Sequence, residues 1–319
     1  MEKLTYREGD RGFPIPENEK SIPAVTAEYF CSVPMDGVVP GLNILEGLCF
    51  DREGNLFVCN TPMGRIYKID MQTKEIRLFL ERPGYYPSAI KIHKDGRLFV
   101  TTAGSPEGGL IMTVSPEGKI LDEIVKVGER MIDDMVFTAE GGFYFTDLGG
   151  TLAHPSAGIG YVEPNEKTIH DVVKDGMIAS NGIALTPDGK HLWVTEYGAG
   201  RLHYLGLDDQ HEIAACESNI PYYFTGMEGP DSCCIDADGN LYVAMCGQGR
   251  FLIFNPHGFP IGQILIPGRE EGKMLKSTHP ALRPGTDEIY LCTADLKTGE
   301  SAIFRARGYA ETYKSFQFQ

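Results

Sequence analysis

The chain has 319 residues, 42% of them hydrophobic and 23% charged, so it is long enough to bury a large core. Its net charge of −15 at pH 7 argues against nucleic acid and anionic membrane surfaces as partners, because both attract basic proteins. No apolar stretch approaches the roughly 18 residues of a membrane-spanning helix, and residues 1–10 lack the apolar core of a signal peptide. We therefore expect a soluble cytoplasmic protein.

Short strand-like segments follow one another along the chain, without sustained helical periodicity. Residues 24–34 form the first of them. From about residue 40 one unit recurs: a short apolar strand, an acidic or proline-containing turn that ends in glycine, and a second strand of β-branched and aromatic residues. In the first copy these parts are residues 47–50, 51–54 and 56–58. The turn glycines are Gly54, Gly96, Gly141, Gly189, Gly239 and Gly285.

The spacing of these glycines predicts the architecture. Consecutive ones are separated by 42, 45, 48, 50 and 46 residues, which is the length of one propeller blade. We therefore predict an all-β fold, a six-bladed β-propeller of four-stranded blades, in which ring closure removes exposed sheet edges. A linear solenoid is the competing architecture, but its repeats are shorter. Residues 1–319 are predicted to form a single domain, with the strand at about 24–34 completing the last blade.

A polar residue stands eight positions before each turn glycine, and these positions are called the register here. The innermost strands of a propeller run along its central channel, so residues at one register form a ring around it. The ring contains three carboxylates and a carboxamide; the carboxylates would repel one another without a counter-charge, and no Lys or Arg occupies the register. The register residues are Glu46, Ser88, Asp133, Asn181, Asp231 and Ser277.

A bound cation is the interpretation that we favour for this ring. An all-oxygen ligand set suits Ca²⁺ first, then Mg²⁺ or Mn²⁺, with Zn²⁺ a less usual choice. The alternative is that the polar side chains cap strands or line a water-filled channel. The predicted ligands are Glu46, Asp133, Asn181 and Asp231, whereas Ser88 and Ser277 are left as channel lining.

Residues near the register predict a mouth that receives a small ligand. Tyr86 closely precedes Ser88, and Tyr223 and Met227 precede Asp231, so these side chains would form an apolar wall. Ser232 would add a hydroxyl contact to the metal or the substrate. Ordinary loop packing is the alternative interpretation for the aromatic residues and Met227. For His279 the alternative is a packed or surface position outside the channel. The predicted pocket comprises Ser88, Tyr86, Tyr223, Met227, Ser277 and His279.

Other catalytic and metal motifs are absent from the sequence. There is no Gly-x-Ser-x-Gly nucleophile elbow and no Gly-x-x-x-x-Gly-Lys-Ser/Thr phosphate loop. The eight cysteines lack the Cys-x-x-Cys or Cys/His spacing of structural zinc sites, and most are expected to be reduced and buried.

Four segments that contain register residues resemble the senescence-marker/gluconolactonase family. They read Leu-Glu-Gly-Leu-Cys-Phe-Asp at 45–51, Ile-Asp-Asp-Met-Val-Phe at 132–137, Ser-Asn-Gly-Ile-Ala-Leu-Thr-Pro-Asp-Gly at 180–189 and Gly-Pro-Asp-Ser-Cys-Cys-Ile-Asp at 229–236. Residues 222–226, residues 262–269 and the ending at 314–319 are similar to the drug-responsive bacterial lactonase branch. The resemblance covers most of the chain from about residue 40 onward.

The resemblance implies a six-bladed propeller that hydrolyses lactones with a divalent ion in its channel. It implies that Glu46, Asp133, Asn181 and Asp231 ligate a catalytic Ca²⁺ with Ser232 beside them, and that Asp231 is the catalytic, proton-transferring carboxylate. That branch also has a second, structural Ca²⁺, but residues 104–109 and 125–131 show no clear acidic ligand where one is expected.

The leading hypothesis is a Ca²⁺-dependent lactonase, a monomer or homodimer that converts a small-molecule lactone to a hydroxy acid. The metal would polarise the lactone carbonyl, and Asp231 would move a proton from the attacking water to the ring oxygen. Two alternatives stay open: a non-catalytic propeller that binds a protein or small ligand, and a related propeller esterase. Asp134, one step off the register, is expected to point away from the metal.

Overall fold

The computed structural model describes residue 5 and residues 12–319. These residues contain 25 strands and four 3₁₀ helices, and none of these helices is long and apolar enough to cross a membrane. The strands form six sheets, which confirms the predicted all-β, six-bladed propeller. The 3₁₀ helices span Glu17–Glu19, Thr61–Met63, Arg269–Glu271 and Phe316–Phe318.

Each blade is an antiparallel sheet whose strands follow one another from the channel outward. Blade 1 holds β3 (Leu45–Phe50), β4 (Leu56–Asn60), β5 (Arg65–Ile69) and β6 (Ile76–Glu81). Blade 2 holds β7 (Pro87–Ile92), β8 (Leu98–Thr102), β9 (Leu110–Val114) and β10 (Ile120–Lys126). Blade 3 holds β11 (Ile132–Phe137), β12 (Phe143–Asp147), β13 (Ala157–Val162) and β14 (Ile169–Met177).

Blades 4 to 6 follow the same order. Blade 4 holds β15 (Ser180–Leu185), β16 (His191–Glu196), β17 (Arg201–Leu207) and β18 (Ile213–Tyr223). Blade 5 holds β19 (Pro230–Ile235), β20 (Leu241–Met245), β21 (Arg250–Phe254) and β22 (Pro260–Leu265). Blade 6 holds β23 (Lys276–Leu282), β24 (Glu288–Asp295) and β25 (Glu300–Arg307), to which an N-terminal strand is added.

The segment predicted as one strand at about 24–34 is divided between two blades. Strand β2 (Glu28–Ser32) pairs antiparallel with β25 as the fourth strand of blade 6. Strand β1 (Ala24–Thr26) instead pairs parallel with β22, as a fifth strand on blade 5. The N-terminal segment therefore bridges the outer edges of the last two blades.

The core lies between neighbouring blades, because each sheet faces another on either side. The second strand of each blade is apolar and buried, as its β-branched and aromatic residues predict. Trp193 of blade 4, for example, is fully buried in a hydrophobic cluster that includes Leu241 and Val243 of blade 5. Each such side chain contributes about 1.5–3 kcal/mol by leaving water. The six turn glycines have φ between 70° and 95°, a left-handed conformation that favours glycine.

The inner strands β3, β7, β11, β15, β19 and β23 contact one another in sequence, and β23 contacts β3, which closes the ring. The register residues lie at the start of these strands. Later residues of the same strands line a cavity of about 160 Å³ at the other end of the channel. The C-terminal segment 312–318 covers this cavity: Phe316 packs on His93, with ring centroids 4.8 Å apart, and the Gln317 amide donates a hydrogen bond to the Phe50 carbonyl.

Candidate metal centre at the start of the inner strands

A β-bulge interrupts every inner strand at the register. In blades 1, 3, 4, 5 and 6 the pairing shifts between Glu46 and Cys49, Ile132 and Met135, Ser180 and Ile183, Pro230 and Cys233, and Ser277 and Pro280; in blade 2 it shifts between Pro87 and Ala89. A bulge re-aims the side chain that it carries and is common beside active sites. The equal spacing seen in the sequence therefore corresponds to a β-bulge that recurs at the register in all six blades.

Burial makes the acidic side chains of the register costly to ionise. The exposed fractions of Glu46, Asp133 and Asp231 are 9%, 7% and 6%. Burial and the charges of Asp231 and Asp133 raise the pKa of Glu46 well above its usual range, and burial with the charge of Asp231 does the same for the pKa of Asp133. Burial raises the pKa of Asp231 to about 6, against the opposing effect of Lys276. The three carboxylates therefore lie near enough to repel one another.

Two of the predicted ligands share contacts with Ser232. The Ser232 amide donates a hydrogen bond to Asp231 Oδ1 at 3.0 Å, and its hydroxyl lies 3.4 Å from Asn181 Oδ1. On the other side of the ring, Glu46 Oε2 is buried without a hydrogen-bond partner and lies 3.5 Å from Nδ1 of His279, which also lacks a partner. Burial lowers the pKa of His279 to about 3, so this ring is neutral.

The oxygen atoms of the four predicted ligands suit a divalent cation, although these side chains do not converge on one point as they would around a bound ion. Within residues 12–319, no three His, Cys, Asp or Glu side chains are close enough to hold a metal ion. Three buried carboxylates, one of which has an oxygen without a hydrogen-bond partner, and an amide oxygen are nevertheless the kinds of donor that Ca²⁺ takes. The residues fit the ion by chemistry, and a cation would have to pull the carboxylates inward against their repulsion.

Lys276 is a counter-charge that sequence reasoning missed, because it stands one step before the register residue Ser277. Its ammonium group donates a hydrogen bond to Glu228 Oε2 at 2.9 Å, and the Cys246 thiol donates to the same oxygen at 3.0 Å. The positive charge of Lys276 opposes the rise in the pKa of both Asp231 and Glu46 that burial causes. Its side chain is 18% exposed, so the ammonium group is partly shielded from solvent.

The pair formed by Lys91 and Asp134 is a second buried charge contact. Lys91 Nζ lies 2.8 Å from Asp134 Oδ1, and the Asp134 side chain has no exposed surface. Lys91 also lines the cavity at the far end of the channel. Asp134 is thus engaged by a lysine, whereas the neighbouring register residue Asp133 forms no ion pair with any residue of the segment 12–319.

The predicted pocket residues lie in different surroundings. The Ser88 hydroxyl donates to the Ile132 carbonyl, so the protein already satisfies it, whereas the buried Ser277 hydroxyl has no partner. His279 lies inside the channel. Tyr86 and Met227 are exposed, and Tyr223 is exposed at the end of β18, the outermost strand of blade 4. The structure brings Ser277 and His279 to the inner strands with the register and leaves Tyr223 at the rim.

Replacing Lys276 with Met is expected to tighten cation binding several-fold. The change removes a positive charge that an incoming cation would face and leaves the Glu228 carboxylate unpaired nearby, and both effects favour a cation. Calcium titration calorimetry measures the affinity. Lys273→Met is the control, because Lys273 is exposed and its ion pair with Glu271 is a loose 3.5 Å. Unchanged or weaker calcium binding in Lys276→Met would contradict this account of Lys276.

Comparison with known proteins finds relatives that match most of the chain. A family model of the SMP-30/gluconolactonase/LRE-like region matches residues 119–294. The chain is 46% identical over 321 residues to lactonase drp35 of Staphylococcus saprophyticus, covering 99% of this chain and 97% of that protein. It is 48% identical over 307 residues to lactonase drp35 of Staphylococcus aureus strain USA300, covering 95% and 93%.

A solved structure shares the fold at low sequence identity. Regucalcin from Agrobacterium tumefaciens, described as a calcium-binding protein, superposes with a TM-score of 0.71 over 92% of this chain and 98% of that one. Its sequence is 16% identical, so this likeness shows the fold alone.

Proposed function

Because this chain belongs to the SMP-30/gluconolactonase/LRE-like family, we propose that it is a divalent-metal-dependent lactonase that hydrolyses a small-molecule lactone to a hydroxy acid. It is an enzyme of the carboxylic-ester hydrolase class, and its nearly full-length likeness to proteins named lactonases carries that assignment. Hydrolysis rates measured on a panel of lactones would identify the preferred substrate.

The proposed cation lies at the register and is held by Glu46, Asp133, Asn181 and Asp231, with Ser232 beside them. The observation that supports this most is that the four buried residues stand at equivalent bulges of four blades, and that three of them are carboxylates that repel one another. The oxygen-only set favours Ca²⁺, with Mg²⁺, Mn²⁺ and Zn²⁺ as alternatives. Ser277 and His279 are proposed to contact water or substrate, since each has a buried polar atom without a partner.

The chemistry follows from these residues. A divalent cation bound there would polarise the ester carbonyl and offset the charge of the carboxylates. Asp231 acts as the base and takes a proton from the water that attacks the carbonyl carbon. As the bond between that carbon and the ring oxygen breaks, Asp231 passes the proton to the ring oxygen. The hydroxy acid leaves, and Asp231 is again a carboxylate.

Removal of the metal is expected to lower lactone opening by roughly 100-fold or more, since the cation supplies several kcal/mol of charge stabilisation. The measurement is hydrolysis of a panel of lactones by purified protein before and after full chelation, with the metal content determined in parallel. Calcium added back should restore turnover, and Mg²⁺, Mn²⁺ and Zn²⁺ should be tested beside it.

Two results would contradict the proposal in different ways. Turnover that survives complete metal removal would exclude metal dependence while leaving lactone hydrolysis intact. Tight metal binding without turnover of any lactone in the panel would favour a non-catalytic binding propeller.

A further inference from the structure

Three threonines connect consecutive register residues across the gaps between blades. Each lies on the second strand of its blade and donates a hydrogen bond to the main-chain carbonyl of the register residue in the next blade. Thr101 Oγ1 lies 2.7 Å from the Asp133 carbonyl and Thr195 Oγ1 lies 2.8 Å from the Asp231 carbonyl. Thr146 donates in the same way to the Asn181 carbonyl.

The same hydroxyl oxygens accept hydrogen bonds from their own blades. The amides of Ala89, Asp134 and Gly182 donate to Thr101, Thr146 and Thr195 at 2.8, 3.1 and 2.7 Å. Each of these amides belongs to the residue directly after a register residue, namely Ser88, Asp133 and Asn181. The hydroxyls therefore tie the bulge of one blade to the bulge of the next, from blade 2 through to blade 5.

The distribution of these threonines follows the predicted ligands. Blades 2, 3 and 4 carry them, and the next blades place Asp133, Asn181 and Asp231 at the register. Blades 1 and 5 have Cys59 and Ala244 at the matching positions, and the next blades place Ser88 and Ser277 there. In blade 6 a related bond runs from the Thr278 hydroxyl to the carbonyl of Leu45, the residue before Glu46, at 2.6 Å.

We propose that Thr101, Thr146 and Thr195 are positioning residues that fix the spacing of the metal ligands between blades. All three are fully buried, so no water replaces their hydrogen bonds. Thr101 and Thr195 hold the bulges that carry the Asp133 and Asp231 carboxylates, which repel each other, and Thr146 holds the bulge of Asn181 between them. A backbone tied from blade 2 to blade 5 keeps these bulges at a fixed spacing before a cation binds. The inference rests on the proposed function, because it assigns the role of these threonines to that metal site.

Thr101→Val tests the proposal, with Thr102→Val as a matched control. Thr102 is the next residue of β8 and is also fully buried, and its hydroxyl makes the same two kinds of bond, with the amide and the carbonyl of Leu110 at 3.1 Å each. Its bonds stay inside blade 2, whereas Thr101 also donates a hydrogen bond to the Asp133 carbonyl of blade 3. Both variants lose one amide donor and one carbonyl acceptor at equal burial, and Thr101→Val also loses contacts inside blade 2, with the Ser88 hydroxyl at 2.9 Å and the Ala89 carbonyl at 3.4 Å.

Calcium titration calorimetry on the full chain gives the decisive readout. Thr101→Val is expected to weaken calcium binding by about 10- to 100-fold, as for residues that orient metal ligands, and Thr102→Val to leave it within about twofold of the wild type. Thr101→Ser keeps the hydroxyl and is expected to restore the affinity. If Thr101→Val does not fold, Thr101→Cys replaces it, since blade 1 carries Cys59 at the matching position.

The outcomes separate this inference from the proposed function. Equal calcium affinity in Thr101→Val and the wild type, or equal losses in Thr101→Val and Thr102→Val, would overturn the positioning role and leave the metal site standing. A wild-type chain that binds no divalent cation would instead overturn the proposed site, and this inference with it.

Discussion

Asp231→Asn is expected to lower lactone turnover by roughly 10³-fold, within the range of about 10²–10⁴ typical of a lost proton-transfer group. Asparagine keeps the shape and an oxygen donor of Asp231 but cannot take a proton from water. The Ser232 amide can still donate to that oxygen, so the bulge is expected to persist. The measurement is turnover of the best lactone at saturating calcium, together with the calcium affinity.

Two comparisons make this result specific to Asp231. Asp238→Asn changes an exposed aspartate in the turn after the same inner strand and is expected to leave turnover unchanged. The thermal unfolding midpoint of both variants reports whether the fold is intact. Turnover of Asp231→Asn within tenfold of the wild type at saturating calcium would remove Asp231 from the proton-transfer step.

Glu19→Ala is expected to lower the free energy of unfolding by about 3–5 kcal/mol, because it leaves a buried arginine without its partner. Arg250 Nη1 lies 2.6 Å from Glu19 Oε2, and both side chains are almost fully buried. The Tyr222 hydroxyl donates to the other oxygen of Glu19, and the Gln263 amide donates to the Glu19 carbonyl at 3.0 Å. The pair therefore attaches the N-terminal segment to blade 5, and denaturant unfolding measures its loss.

Glu17→Ala is the natural control, since Glu17 lies in the same 3₁₀ turn. Its side chain is 75% exposed and pairs with Lys20 three residues away, so its loss is expected to cost less than about 1 kcal/mol. Replacing both Glu19 and Arg250 with methionine is expected to recover part of the stability, because no unpaired charge is then buried. A cost below about 1 kcal/mol for Glu19→Ala alone would contradict the role of this pair.

The blade repeat could be predicted because residues that are close together in the sequence define it. A glycine with positive φ and an apolar strand after it recur in each blade, and a polar residue a fixed distance before that glycine marks the register. The bulges that turn those residues leave no separate signal in the sequence. Lys276 stands one position off the register, and its role depends on Glu228 and Cys246 from other parts of the ring.

Contacts between blades could not be predicted from the sequence, because they join residues that are far apart along the chain. Thr101 and Thr195 look like ordinary strand residues, and only their closeness to carbonyls of the next blade gives them a role. The N-terminal segment is split because β1 pairs with the edge strand β22 and β2 pairs with the edge strand β25. Local patterns therefore predict what each blade contains, whereas the way the blades meet requires the structure.

The C-terminal segment 312–318 lies across the end of the channel that is opposite the register. Phe316 packs on His93, which follows the inner strand of blade 2, and the Gln317 amide donates a hydrogen bond to the Phe50 carbonyl of blade 1. The chain therefore crosses the junction between blades 6 and 1 twice, once from β2 to β3 and once beyond β25. Separating these two blades requires both crossings to give way, so the ring is fastened at its junction by both terminal segments.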